Sequence, residues 1–157
     1  MPVLPIEVVR LRVKRAAALG LDYRTYASVR AATGHDVVAF LFSSNALRVS
    51  PLQVAVPVDR AAKLAAMAGC GRVALVVAPL RPDLVQAANA AVLEAAHAAP
   101  FSLAGYGETR GQLRTALGRV PADQVLLVGD MALERDWCAV GRLAGYVPAE
   151  RFFAAQT

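Results

Sequence analysis

Apolar residues along the chain fall into short continuous runs that alternate with amphipathic stretches. The runs over 36–42, 73–78 and 125–128 are apolar nearly throughout, which is typical of parallel strands with both faces covered. Shorter runs predict a third strand over 101–106 and a last edge strand within 146–153. Because strands and helices alternate with short connections, we expect a mostly parallel, Rossmann-like sheet in a three-layer α/β sandwich.

Apolar residues at helical spacing between these runs predict the helices of the core. The predicted helices cover 58–68, 83–97, a stretch that ends at Leu117, and 134–144. The segment 83–97 is rich in alanine, a strong helix former. His97 would lie near the end of that helix, where it can satisfy terminal carbonyls rather than take part in catalysis.

Two further helices are predicted before the first strand, over 6–20 and 22–34. Asp22 is a favourable N-cap for the second of them, and a glycine suits the end of each. A chain of 157 residues is one domain of ordinary size. We divide that single domain into an N-terminal helical hairpin, residues 1–34, and an α/β core, residues 36–157.

The net charge of +5 is concentrated in residues 1–50, which hold seven basic and three acidic side chains, a balance of +4. A solvated helix face is the simplest interpretation, although a basic arm can also meet phosphate, nucleic acid or an acidic partner. The hairpin has the outline of a helix-turn-helix with Arg24 and Arg30 on its second helix, which leaves nucleic-acid binding as a minor alternative. A homodimer contact is another candidate, and its residues would be Val9, Val13, Tyr23 and Tyr26.

The composition is that of a protein with a substantial core, because 57% of the residues are apolar and 18% are charged. Cys70 and Cys138 fit no zinc-site spacing, and no secretory leader is recognised. No apolar run approaches the roughly 18–20 residues that span a bilayer. We therefore expect a cytoplasmic protein with free thiols and no membrane segment.

Polar side chains follow three of the apolar runs. They are Ser43 to Asn45 after the first run, Thr109 and Arg110 before a helix, and Asp130 with Glu134 and Asp136 after the run 125–128. The carboxyl ends of parallel strands share one edge of a sheet, where ligands bind, so we expect these groups to converge. Carboxylates placed there suit Mg²⁺. The alternative is that they form turns and a favourable helix N-terminus.

The stretch VPADQVLLVGDMALERDWCAVGRLAGYVP resembles the fourth motif of the haloacid dehalogenase-like (HAD) hydrolase superfamily, within a resemblance that covers roughly residues 36–150. It has an apolar strand, Gly-Asp, a second acid and a helix ending in Ala-Gly. The resemblance implies Mg²⁺ held by Asp130 and by Glu134 or Asp136. It also places Ala78 where the family has Ser or Thr, and Arg110 or Arg114 as the phosphate-binding cation.

The first motif departs from the family pattern. The family's catalytic Asp-x-Asp positions fall on Ser43 and Asn45, so the phosphoryl-accepting carboxylate and the general acid/base are both missing. The resemblance therefore implies a HAD-like protein that has lost phospho-aspartate chemistry. We expect a binding or regulatory module for a protein or a small phosphorylated ligand. The alternatives are a Mg²⁺-dependent hydrolase with an altered nucleophile, and an unrelated α/β protein.

Overall fold

The computed structural model describes residues 4–154, and within them five strands form one parallel sheet. The spatial order of the strands is β3-β2-β1-β4-β5, and every neighbouring pair is parallel. The α/β class and the parallel sheet are thus confirmed, and the architecture is consistent with a Rossmann-like sandwich. The strands are β1 (Ala39–Ser43), β2 (Gly71–Val76), β3 (Ala95–Ala98), β4 (Val125–Gly129) and β5 (Gly145–Pro148).

Helices cover both faces of this sheet across the described residues. The α-helices are α1 (Ile6–Ala18), α2 (Tyr23–Thr33), α3 (Ser44–Leu47), α4 (Val58–Ala66), α5 (Pro82–Ala88), α6 (Tyr106–Leu117), α7 (Ala132–Gly141) and α8 (Ala149–Ala154), and a 3-10 turn spans Ala122–Gln124. None of the helices in residues 4–154 combines the length and the apolar character that crossing a membrane requires.

The alternation of side chains along the strands divides the core in two. Phe40 and Phe42 of β1 point into a large cluster that includes residues from α1, α2, α4, α5 and α8. Leu41 points into a smaller cluster on the opposite face, where α6 and α7 supply Leu113 and Trp137. Because both faces are covered, β1 and β4 are buried over their whole length.

The strand order creates a topological switch point between β1 and β4. The chain moves outward from β1 through β2 to β3, then returns to place β4 on the other side of β1. The connections that leave the carboxyl ends of β1 and β4 therefore run in opposite directions. A crevice between such connections is the usual ligand site of an open α/β sheet.

The helix predicted over 83–97 is confirmed in its first part and wrong beyond it, because α5 ends at Ala88. Asn89 follows it, and its buried side-chain amide donates to the carbonyl of Val85 and accepts from the N–H of Val56 at 2.8 Å. The chain then turns and re-enters the sheet as β3 beside β2, with His97 inside the strand. Pairing with β2 thus prevails over the helix propensity of alanine.

The strand predicted over 101–106 and the loop predicted around Thr109 and Arg110 are also wrong. The segment after β3 is a connection with no strand, and α6 begins at Tyr106, so both residues lie within its first two turns. Phe101 and Leu103 are exposed, 59% and 87%, so this connection has no covered faces of the kind a buried strand needs.

The last edge strand is shorter than predicted, since β5 ends at Pro148 and residues 149–154 are helical. Helical geometry turns Phe152 into the core, where its ring lies 5.6 Å from that of Phe40 and 5.7 Å from that of Phe42. These aromatic contacts fix α8 on the sheet.

Asp36 fastens the two N-terminal helices to the start of β1. Its carboxylate accepts from Arg15 Nε at 3.0 Å, from the Tyr26 hydroxyl at 2.7 Å and from the N–H of Val37 at 2.8 Å, and Arg30 lies 3.8 Å away. Tyr26 is 1% exposed. Including Tyr26 in the predicted homodimer contact is therefore wrong, since its ring lies in the core; a contact through Val9, Val13 and Tyr23 stays a prediction.

Candidate functional site

The polar ends of β1 and β4 meet at the switch point through one side chain, Glu134 in the first turn of α7. Ser43, the last residue of β1, donates from Oγ to Glu134 Oε1 at 2.6 Å. Asn45 donates from Nδ2 to Glu134 Oε2 at 2.7 Å. Positions 43 and 134 are 91 residues apart in sequence, so this contact exists only because β1 and β4 are neighbours.

The Glu134 carboxylate is a fully enclosed acceptor. Only 2% of the residue is exposed. Besides the two side-chain donors, the backbone N–H groups of Asp130 and Met131 reach Oε1 at 2.7 and 3.3 Å. Glu134 thus accepts from four donors. It also lies near a helix N-terminus, where negative charge is favoured. We call these residues the Glu134 cluster, and its members are Ser43, Asn45, Asp130, Met131 and Glu134.

Ser43 is itself held in place by the helix that follows it. It is the N-cap of α3, and its Oγ accepts from the N–H of Ala46 at 3.0 Å while donating to Glu134. The residue is completely buried. The next side chain, Ser44, accepts from the N–H of Val77 at 3.0 Å and so ties the end of β2 to the same corner.

Gly129 is required for this packing. A Cβ atom there would lie 2.7 Å from Tyr146 Cε1, closer than real Cβ atoms approach a neighbour, and 3.0 Å from Glu134 Oε1, which is tighter than most such contacts. The Gly-Asp pair at the end of β4 therefore has a packing reason beside any chemical one. Burial raises the pKa of Tyr146, and the charge of Glu134 raises it further.

Arg48 and Arg60 are the cations that the fold brings to this corner. Arg48, with a positive φ of 57°, lies 3.3 Å from a carboxylate oxygen of Asp130. Arg60 donates to the carbonyl of Ala46 at 2.9 Å, and burial followed by the nearby charge of Arg48 lowers its pKa. Sequence reasoning missed both, because neither lies in a recognisable motif.

The arrangement does not fit a divalent cation. Glu134 Oε1 already accepts three hydrogen bonds, and the Asp130 carboxylate faces Arg48. Asp136 is exposed and lies two residues beyond Glu134, a spacing that turns it to another side of α7. Within residues 4–154, no group of three or more His, Cys, Asp or Glu side chains could hold a metal ion.

The remaining predicted residues lie outside the Glu134 cluster. Ala78 follows β2 and is exposed. Arg110 and Arg114 lie on α6, in a groove shared with Arg142 at the end of α7. Since that groove also contains Ala122 just before β4, it opens toward the amino edge of the sheet, away from the crevice.

Comparison with known proteins adds no assignment: the chain matches no family model, no curated protein and no solved structure. The likeness to HAD hydrolases thus rests on the quoted residues alone.

The sequence names Glu134 as a candidate metal ligand, and that role stays a prediction. The contacts of Glu134 in the structure are those of a hydrogen-bond acceptor shared by two strand ends. The spacing from Met131 to Glu134 is that of a capping box, in which the acid at the third helical position reaches back to the N-cap N–H. That spacing was the available signal for the local half of the contact.

Proposed function

We propose that this protein is a non-catalytic binding or regulatory module with a HAD-like fold. In this proposal, the residues at the family's reaction site serve as structural hydrogen-bond partners between β1 and α7. The observation that supports this most directly is the enclosed Glu134 carboxylate, which uses the side chains of Ser43 and Asn45 as donors. These two positions would carry the reaction if the family pattern were intact.

Phosphoryl transfer needs an accessible nucleophile and a neutralised phosphate. Ser43 Oγ is buried and is committed both as a donor and as an acceptor. The basic residues expected at the phosphate, Arg110 and Arg114, belong to a different groove. A phosphoryl group attacked by Ser43 Oγ would have to displace its contact with Glu134, and a buried group left unpaired costs about 1–3 kcal/mol.

A hydrolase with a serine nucleophile is the second candidate, and one distance favours it. Ser43 Oγ lies 2.6 Å from Glu134 Oε1, which is the spacing of a nucleophile and its general base. Burial argues against this role, since neither residue exceeds 2% exposure. Such a pair would act only after α7 moved away from the end of β1.

Hydrolysis of a generic phosphate monoester and of a generic carboxylic ester, each with and without Mg²⁺, separates the two candidates. The binding module predicts no turnover above buffer for the wild-type protein. Ser43→Ala and Asp130→Asn serve as paired variants, because the first removes the nucleophile and the second the exposed acid.

The proposal is contradicted by turnover that Ser43→Ala abolishes while circular dichroism shows the variant folded. Mg²⁺-dependent turnover that Asp130→Asn abolishes contradicts it equally. Activity that survives in both variants assigns the chemistry to residues outside the crevice and contradicts the proposal that the protein is non-catalytic.

A further inference from the structure

Three arginines line a groove between α6 and α7, at the opposite end of α7 from Glu134. Its volume is about 150 Å³, room for about five water molecules at roughly 30 Å³ each. The charged groups that line it are Arg110, Arg114 and Arg142, and no carboxylate lines it. Leu113 and Leu117 form the apolar part of the lining, together with Ala122 and Gly141.

The guanidinium groups of these arginines make no hydrogen bond or ion pair with another side chain or a carbonyl in residues 4–154. Arg15 and Arg72 differ in this respect, since Arg15 binds Asp36 and Arg72 donates to three carbonyl oxygens. Three like charges in one groove repel one another unless an anion lies between them. The groove therefore has donors and positive charge to offer a ligand.

Arg142 is the third cation that lines the groove, and it ends α7. Its φ of 54° is the left-handed conformation with which helices commonly end, and its N–H bonds to the carbonyl of Ala139. The other positive-φ residue that is not glycine in the described chain, Arg48, pairs with Asp130, whereas Arg142 lines a groove without an acid.

Gly141 leaves room for a leucine of α6 beside the end of α7. A Cβ atom at this position would lie 2.9 Å from Leu113 Cδ1, so a larger residue would require that side chain to shift. Arg142, the next residue, lines the same groove as the arginines of α6. Two adjacent residues, Gly141 and Arg142, therefore supply the packing contact with Leu113 and one of the three cations of the groove.

We propose that this groove binds the phosphate groups of a small phosphorylated molecule. Arginine forks match phosphate oxygens in pairs, and a groove of this size admits one or two phosphates with little else. The site differs from the crevice in position and residues, so it does not depend on the fate of the Glu134 cluster. If the protein is a binding module, as proposed above, this groove identifies its ligand as a small phosphorylated molecule.

Calorimetric titration with inorganic pyrophosphate at constant ionic strength tests the site, with orthophosphate as a weaker probe. The variants are Arg114→Gln and Arg142→Gln. The matched control is Arg10→Gln, which removes the same charge from an exposed position on α1. We expect pyrophosphate affinity to fall about tenfold in each groove variant and to stay within about twofold in the control.

Arg114→Lys sharpens the result, because it keeps the charge and loses the fork; we expect an intermediate loss. Absence of pyrophosphate binding by the folded wild-type protein overturns the proposal. Equal losses in Arg10→Gln and the groove variants also overturn it, since they indicate binding to net charge alone. Binding of a single-stranded oligonucleotide through the same arginines, with no pyrophosphate binding, assigns the groove to a nucleic acid instead.

Discussion

The crevice at the carboxyl edge of the sheet and the groove between α6 and α7 both contain residues that resemble parts of a phosphate site, yet they differ in one respect. In the crevice the buried polar groups are matched with one another, with Glu134 accepting from four donors. The groove is lined by three arginines and by no carboxylate. A motif whose polar groups satisfy each other contributes to stability, and an unmatched set remains available for a ligand.

The two regions also differ in what holds them together. The crevice joins positions far apart in sequence, β1 to α7, through buried hydrogen bonds. The groove depends on apolar packing of Leu113 against Gly141, with its charges at the exposed rim. Changes in the crevice should therefore act on folding, and changes at the rim of the groove should act on binding.

Glu134→Ala is expected to have the largest effect. It leaves two side-chain donors and two backbone N–H groups buried without their acceptor, which should cost about 3–5 kcal/mol of unfolding free energy. Urea denaturation followed by circular dichroism measures this loss. Asp136→Ala, two residues away on the exposed side of α7, is the control and should change stability by less than about 0.5 kcal/mol. Similar small values for both variants would contradict the structural role of Glu134.

Gly129→Ala tests the packing beneath the same cluster. The added methyl group meets the Tyr146 ring and Glu134, so we expect a loss of about 1–3 kcal/mol. Gly111→Ala on α6 meets nothing within 4 Å and should instead stabilise the helix by about 0.5–1 kcal/mol. The two substitutions are chemically identical. If both changed the melting temperature in the same direction, the proposed difference in environment would be refuted.

Arg142→Gly separates stability from binding in the groove. Glycine relieves the left-handed backbone, so the free energy of unfolding should rise by about 1 kcal/mol while pyrophosphate affinity falls. Arg48→Gly relieves a similar backbone but loses the contact with Asp130, and it should leave pyrophosphate affinity unchanged. Loss of stability in Arg142→Gly would show that the guanidinium has a structural partner.

The smallest effect is expected from Tyr146→Phe, in the dependence of the unfolding free energy on alkaline pH. Burial, and then the charge of Glu134, raises the pKa of Tyr146 above 10.0, so the folded protein favours the neutral phenol. The stabilisation is complete below the unfolded pKa and is lost as pH rises through the folded pKa. Tyr146→Phe should flatten the fall in unfolding free energy above about pH 10, measured by denaturant titration. An unchanged slope would assign the fall to other groups.

The parts of the fold that the sequence predicts well are those with continuous apolar runs. β1, β2 and β4 are each rich in Val, Leu or Phe, and both of their faces are covered, so hydrophobicity alone marks them. β3 has the sequence AAHA, whose alanines favour a helix locally. Its strand form depends on pairing with β2, a long-range contact that no local pattern contains.

The candidate site shows the same division. The approach of Ser43 to the end of β4 could be anticipated from the rule that parallel strands share a carboxyl edge. The four-donor environment of Glu134 could not, because it depends on rotamers and on the space that Gly129 leaves beside Tyr146. The grouping of Arg142 with Arg110 and Arg114 likewise depends on how closely α6 and α7 approach.

Thermal unfolding of the wild-type protein and of Glu134→Gln, each with and without millimolar Mg²⁺, tests the central claim most directly. A ligand that binds the folded state raises the melting temperature. If Glu134 is a structural acceptor, Mg²⁺ leaves the wild-type melting temperature unchanged, and Glu134→Gln melts lower in both conditions. A Mg²⁺-dependent rise in the wild type that Glu134→Gln abolishes would establish a metal site in the crevice and contradict the account.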